Sequence, residues 1–231
     1  MSLWIVAAVK EEIGILLSES NARSVKDIGA IPQYVGTAGN QMVRFGVIGI
    51  GIASAGLALG YLLSLETPEG IIIVGSAGAL PGSGLGVGDV VVADSEILAE
   101  LGVLVGAGIG DATLLGLPDM DQQIAFDQAL GDDLFTAAGR VGNAMHGKVL
   151  TVVGLSATQD QAEARAKRFK AAAENMEGYA VALAGRNLGI MAAEVRGISN
   201  RAGDRNKADW DLKIANERSQ SAVLEYLRRS F

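Results

Sequence analysis

Apolar and polar positions along this chain fall into blocks of two kinds. Short, mostly apolar runs recur at residues 4–9, 71–74, 90–93, 148–153 and 190–198. Runs of that length, rich in β-branched residues, fit strands buried on both faces of a sheet. Residues 34–37 and 42–48 read as paired strands joined through Gly39-Asn40, a turn dipeptide with a residue ready for positive φ. Longer segments at 10–17, 53–65, 128–140, 159–170, 177–187 and 212–229 read as helices. Helices alternating with apolar strands predict an α/β protein, a three-layer α/β/α sandwich around a central mixed, twisted sheet. The glycine- and leucine-rich stretch 102–123 has no such pattern and reads as an interface loop or a lid, centred on 106–117.

Composition narrows this picture. A chain of 231 residues with 49% hydrophobic content can bury one sizeable core, and no Pro- or Ser-rich linker divides it, so residues 1–231 read as a single domain. Cysteine is absent, which excludes disulfides and thiolate metal sites and fits a reducing, cytoplasmic setting. The net charge of −7 opposes non-specific binding to nucleic acid. Segments 45–65 and 70–88 carry no charge, but their glycines fit a strand, turn and packed helix better than a membrane span. The apolar run near the N-terminus stops at Lys10-Glu11-Glu12 and has no basic leader, so it does not read as a signal peptide. Arg165-Ala166-Lys167-Arg168 reads as a solvated helix face.

The chemistry concentrates in a few places. Asn175-Met176-Glu177-Gly178-Tyr179 puts a carboxylate and a thioether at a helix start, and Ile198-Ser199-Asn200-Arg201 puts polar groups at a strand end. Gripping a ribose and a purine needs such groups. Breaking an N-glycosidic bond requires a carboxylate against the ribose, a hydrogen-bond partner for the base and an activated nucleophile. Glu177 can accept from two ribose hydroxyls and Met176 can line the sugar face, although the pair also reads as an ordinary helix start over core filler. Gly75-Ser76-Ala77-Gly78 would bring backbone amides and a hydroxyl to a ligand, or would simply form a tight turn. Glu12 is a candidate base for water, and Glu11 is the neighbour from which it must be distinguished. His146 is the only histidine and reads as a surface turn, so neither a Ser-His pair nor a histidine metal site is supported. No dinucleotide or Walker-type glycine motif is present, and no cofactor is expected.

Taken together and in order, Ala8-Val9-Lys10-Glu11-Glu12, Gly49-Ile50-Gly51, Gly75-Ser76-Ala77-Gly78, Val87-Gly88-Asp89-Val90-Val91, Met176-Glu177 and Ile198-Ser199-Asn200 resemble the purine nucleoside phosphorylase and nucleosidase superfamily. Within it, Glu100-Leu101-Gly102-Val103, Met176-Glu177-Gly178, Glu194-Val195-Arg196 and Ser199-Asn200-Arg201, with Gly203, Arg205 and Trp210, look like the futalosine hydrolases. The resemblance implies a nucleoside phosphorylase-like fold and hydrolysis of futalosine to hypoxanthine and a dehypoxanthinyl product in menaquinone biosynthesis. It further implies a homo-oligomer. By position, Glu12 would activate water, Glu177 and Met176 would contact ribose, and Ser76, Ala77 and Gly78 would wall the space between sugar and base. Leu155 and Ser156 would fall near the base.

One departure bears on the substrate. Where methylthioadenosine nucleosidases carry an aspartate that protonates purine N7, this chain has Asn200, which cannot act as an acid. Its carbonyl can accept from N7–H while its NH2 donates to O6 of a 6-oxopurine; flipped, the same amide can pair with adenine. The carboxylates of Lys10-Glu11-Glu12 stand where family phosphorylases place a phosphate-binding arginine, which favours water as nucleophile, with Lys10 the one residue against this. Arg201 or Arg205 suits the carboxylate of futalosine's aromatic extension, unless paired with Asp204 or Asp209. Further readings stay open: a methylthioadenosine/adenosylhomocysteine-type or aminodeoxyfutalosine nucleosidase, a 6-oxopurine nucleoside phosphorylase, and a non-catalytic purine-nucleoside-binding protein.

Overall fold

The computed structural model describes residues 2–25, 29–105, 108–110, 112–116 and 121–231. In chain order the strands are β1 (Leu3–Ala7), β2 (Arg23–Ser24), β3 (Gln33–Ala38), β4 (Gln41–Val47), β5 (Gly70–Ala79), β6 (Val90–Leu98), β7 (Leu104–Val105), β8 (Gly108–Ile109), β9 (Gln123–Ala125), β10 (Ala144–Thr151), β11 (Ala173–Asn175) and β12 (Met191–Arg201). The α-helices are α1 (Gly14–Glu19), α2 (Ile52–Leu65), α3 (Gln128–Val141), α4 (Gln159–Phe169), α5 (Gly178–Leu188) and α6 (Leu212–Ser230).

One mixed sheet runs β11-β10-β6-β12-β5-β1-β4-β3-β2, with β9 added to β6. Side chains leave a strand on alternate faces, and the two faces of this sheet feed two cores. Trp4, Val6, Ile71 and Ile73 pack with α2 and α5. Leu3, Ile5, Ile72 and Val74 pack with α1, α3 and α6 on the other side. A strand buried on both faces has no room for polar alternation, which is why these runs are continuously apolar.

The α/β class, the mixed sheet and the flanking helices agree with expectation. The sheet is not, however, a simple open middle layer. β11 pairs in parallel with β10 and antiparallel with β5, so β5, β12, β6, β10 and β11 close into a ring. That closure needs β5 to be longer than its β-branched run. The strand continues through Gly75-Ser76-Ala77-Gly78, which pairs with β12 and β11 and is not the tight turn that its composition suggests.

The hairpin of β3 and β4 turns through Gly39-Asn40 as expected, with Gly39 at φ +55°. The uncharged segments 45–65 and 70–88 resolve into strands, turns and α2, and among the described residues no helix is long and apolar enough to cross a membrane. Residues 106, 107, 111 and 117 of the expected lid lie outside the described residues; the described remainder holds β8 and a 3-10 turn at Ala112–Leu115. His146 lies on β10 and not in a surface turn, with its ring 4.3 Å from that of Phe135.

Candidate active site

The carboxyl ends of β1 and β5, the start of α5 and the end of β12 converge on a cavity of about 250 Å³. Glu12, Ser76, Ala77, Gly78, Leu155, Ser156, Met176, Glu177, Asn200 and Arg205 all line it, whereas Arg201, the alternative to Arg205, is exposed and does not. Ala8, Val9, Ile50, Glu174, Asn175, Ser199, Trp210 and Leu212 complete the lining.

Glu12 ends a single 3-10 turn, Lys10–Glu12, that follows β1. This turn points Glu11 to solvent and Glu12 inward, which settles which of the two neighbours faces the cavity. Glu12 Oε1 accepts from the Ser76 amide at 3.0 Å and the Ser76 hydroxyl at 3.2 Å; Oε2 accepts from the Ala8 and Val9 amides at 3.1 and 3.4 Å. Burial raises the Glu12 pKa, and the nearby Arg196 charge and these amides oppose the rise without cancelling it. A carboxylate made more basic in this way is suited to taking a proton from water.

Glu177 occupies the N-cap position of α5, yet its side chain does not cap that helix. Asn175 Oδ1 does so instead, accepting from the Glu177 and Gly178 amides at 2.8 and 2.9 Å. This frees the Glu177 carboxylate, whose Oε1 accepts from the Gly51 amide at 3.0 Å at the start of α2. The reading of Glu177 as an ordinary helix-starting residue therefore fails on geometry.

Arg196 joins the two carboxylates and was given no role by sequence reasoning. It is 1% exposed, and its Nη1 lies 3.4 Å from Glu177 Oε2 and 3.4 Å from the Ser76 carbonyl oxygen, while its Nε donates to Glu194 Oε1 at 2.6 Å. Burial would lower its pKa, but Glu194, Glu177 and Glu12 outweigh burial and raise it. Gly75 permits this arrangement, since a Cβ there would stand 2.7 Å from both Arg196 Nη1 and Glu12 Oε1. The signal for Arg196 in the sequence was its place in Glu194-Val195-Arg196, one of the segments that look like the futalosine hydrolases, which assigned it no role.

Asn200 owes its aim to an irregularity. β12 pairs with β5 in register up to Ile198 opposite Ala77, then skips Ser199 and resumes with Asn200 opposite Gly78. The skipped residue breaks the alternation of faces, so Ser199 and Asn200 both reach the cavity. Asn200 Nδ2 donates to the Arg201 carbonyl at 2.9 Å and Oδ1 accepts from the Ser199 hydroxyl at 2.8 Å. A carbonyl can only accept, so the amide group beside Arg201 must be the NH2 and the flipped orientation is disfavoured.

The cavity wall at Leu155, Ser156 and Glu174 is held from behind. Arg165 Nη1 donates to Glu174 Oε2 and Ser156 Oγ, both at 2.9 Å, and its Nη2 donates to Glu100 at 2.6 Å and to the Gly154 carbonyl at 2.7 Å. Glu174 in turn accepts from the Ser156 amide and hydroxyl. Arg165 is therefore turned inward from α4 and is not part of a solvated face. Arg205 is exposed, lies 4.9 Å above the Trp210 ring, and has no carboxylate within ion-pair distance among the described residues. Asp204 and Asp209 bond instead to Asn206. Lys10 is exposed, sits over Tyr34 and does not line the cavity.

The chain belongs to the phosphorylase superfamily, whose family model matches residues 2–228. Its relatives are nucleosidases, and with them it is an N-glycosyl hydrolase. It is 36% identical over 188 residues to a futalosine hydrolase of Thermus thermophilus, covering 78% of this chain and 77% of that protein. It is 28% identical over 239 residues to a 5'-methylthioadenosine/S-adenosylhomocysteine nucleosidase of Aeromonas salmonicida, covering 98% and 99%. The structure of the futalosine hydrolase of Helicobacter pylori shares its fold, with a TM-score of 0.87 at 18% identity over 99% of this chain and 98% of the other.

Proposed function

We propose that this nucleosidase hydrolyses the N-glycosidic bond of futalosine, releasing hypoxanthine and dehypoxanthinyl futalosine, as a cytoplasmic step of menaquinone biosynthesis. The observation that carries this reading is Asn200, an amide pinned by Ser199 and Arg201 in place of a proton-donating acid. In this reading Glu12 takes a proton from water as the water oxygen bonds to C1′, and the C1′–N9 electron pair leaves with the base. Hypoxanthine departs after protonation at N7 by solvent, Asn200 Oδ1 accepting from N7–H and Nδ2 donating to O6. Glu177 accepts from the ribose hydroxyls and stabilises the positive charge that develops on the sugar, with Met176 against its face. Ser76, Ala77 and Gly78 separate sugar from base, and Leu155 and Ser156 lie against the base. Water is favoured over phosphate because carboxylates surround the nucleophile's position and Lys10 points away from it.

The test is to incubate the protein with futalosine, aminodeoxyfutalosine, methylthioadenosine and inosine, with and without phosphate, and to follow the released base. Hypoxanthine from futalosine without phosphate is expected. Adenine release would overturn the base assignment, a need for phosphate would overturn the nucleophile, and no release from any substrate would favour a binding protein.

Two substitutions sharpen the outcome. Asn200→Asp restores a group able to protonate N7 and is expected to raise adenine release from aminodeoxyfutalosine by at least about tenfold. No gain would mean that Asn200 does not face the base. Arg205, with no acidic partner among the described residues and steadied by Trp210, is proposed to receive the carboxylate of the futalosine extension. Arg205→Ala is then expected to raise KM for futalosine about tenfold while leaving KM for inosine unchanged. Equal effects on both would remove Arg205 from this role.

A homo-oligomer belongs to the same proposal. Leu57, Tyr61 and Leu65 on α2 and Leu188 on α5 leave large apolar side chains exposed, which supports contact with a second copy.

A further inference from the structure

Behind the cavity, outside its lining, stand two carboxylic acids that no step above uses. Glu96 on β6 and Glu194 on β12 are both 0% exposed. Both converge on Asn175 Nδ2, which donates to Glu96 Oε1 at 2.5 Å and to Glu194 Oε1 at 3.0 Å. The second Glu96 oxygen accepts from the Thr151 hydroxyl at 2.9 Å, and Glu194 Oε1 also accepts from Arg196 Nε. Glu194 Oε2 remains buried with no donor among the described residues. Gly178 shows how closely the acids approach: a Cβ there would collide with Glu96 Oε1 and stand 2.5 Å from Glu194 Oε2.

Two ionised carboxylates in such a place would lose their hydration and repel each other. The arrangement also strands one acceptor. A single proton resolves both difficulties, because a hydroxyl on Glu96 supplies the donor that Glu194 Oε2 lacks. We infer that Glu96 and Glu194 form a carboxyl–carboxylate pair sharing one proton, carried by Glu96, and that this pair is a positioning element of the nucleosidase site. Burial, and then the Glu194 charge, push the Glu96 carboxyl well above the ordinary carboxylate range, against the hydrogen bonds of Asn175 and Thr151.

The pair acts on the cavity by two routes. Its ionised member, Glu194, holds Arg196, which faces Glu177 and Glu12. Both members hold Asn175 by its NH2, which leaves Oδ1 to fix the start of α5 and so the backbone of Glu177. The charged groups facing the pair are Arg196 and, beyond it, Glu177 and Glu12; Asn175 and Thr151 are its neutral neighbours. Ionising Glu96 would add a further negative charge to this cluster and remove the donor to Glu194.

The positioning role rests on the proposed nucleosidase chemistry; the shared proton does not. Glu96→Gln keeps the shape and a donor, so its kcat is expected to stay within about threefold of the parent, whereas Glu96→Leu should lose about thirtyfold or more. In the parent, kcat/KM should fall at alkaline pH as Glu96 ionises, and Glu96→Gln should lack that fall. Stability follows the same sign. The Glu96 contribution is full below the ordinary carboxylate pKa and is lost as pH rises through the raised value. Glu96→Gln should therefore melt higher than the parent near pH 8, and the gap should close near pH 5.

Infrared difference spectra of the ligand-free protein at pH 7 supply a readout that needs no substrate. A buried protonated carboxyl band is expected in the parent and should vanish in Glu96→Gln. If that band is missing in the parent, the shared proton is overturned. If Glu96→Gln is as inactive as Glu96→Leu, or Glu96→Leu is fully active, the positioning role is overturned. A parent inactive on every nucleoside with the band present would overturn the proposed function and the positioning role, and would leave the protonated pair standing.

Discussion

The Glu12→Gln enzyme is expected to lose about a thousandfold in kcat while its KM for the nucleoside stays within about threefold. Glu12 is the carboxylate at the cavity whose basicity the fold raises, and burial is the main cause. Its two oxygens accept four hydrogen bonds from Ser76, Ala8 and Val9, which fix its orientation. A glutamine cannot take the proton from water, and its NH2 must also face amide donors. The loss should therefore come with a modest drop in thermal stability. The pH profile checks the assignment independently of the rate. In the parent, kcat/KM should fall as pH drops through a value above the ordinary carboxylate range, since a protonated Glu12 is no longer a base. That acid limb should be absent from the residual activity of Glu12→Gln. A variant that keeps kcat within tenfold would mean that another group activates the water.

Arg196→Met carries the largest expected cost in stability. One guanidinium, almost wholly buried, faces Glu194, Glu177 and Glu12, and burial of a charge is tolerable only when it is paired. Removing the cation leaves carboxylates buried without compensation, at a cost of about 3–5 kcal/mol. For a chain of this size that corresponds to a fall in Tm on the order of 10 °C. The deficit should narrow as pH falls and protonation removes the unpaired charge. Thermal denaturation at two pH values measures it directly. A Tm within 2 °C of the parent would show that water hydrates these carboxylates and that Arg196 is dispensable to them. Arg196→Lys is not expected to rescue, because one ammonium cannot reach Glu194 and Glu177 with separate, fixed donors.

Much of the site was legible because its chemistry sits at the ends of strongly patterned elements. The apolar run of β1 stops at Lys10-Glu11-Glu12, the run of β12 stops at Ser199-Asn200, and Met176-Glu177 opens α5. An abrupt change from apolar to polar residues is visible without a structure, and Glu12, Met176, Glu177 and Asn200, which stand at such changes, line the same cavity as Leu155 and Ser156, which only the family resemblance pointed to. The failures are equally physical. Gly75-Ser76-Ala77-Gly78 has the composition of a turn, and pairing with β12 and β11 overrides that composition to extend β5. Arg165 was lost in a charged helix, since nothing local says which cation of Arg165-Ala166-Lys167-Arg168 turns inward to Glu174 and Glu100.

The sequence by itself determined the α/β class, the elements that carry the chemistry and the superfamily to which they belong, because periodicity and short motifs are local properties of the chain. Only the tertiary structure decided how charge is distributed behind them. Glu96, Glu194 and Arg196 look like ordinary polar positions on strands, yet all three are buried and meet only because β6 and β12 are neighbours in the sheet. The basicity of Glu12 and the aim of Glu177 and Asn200 depend on burial, on which opposite charge lies within reach and on one skipped residue at Ser199. Those are consequences of packing between residues distant in the chain, and no spacing along it encodes them.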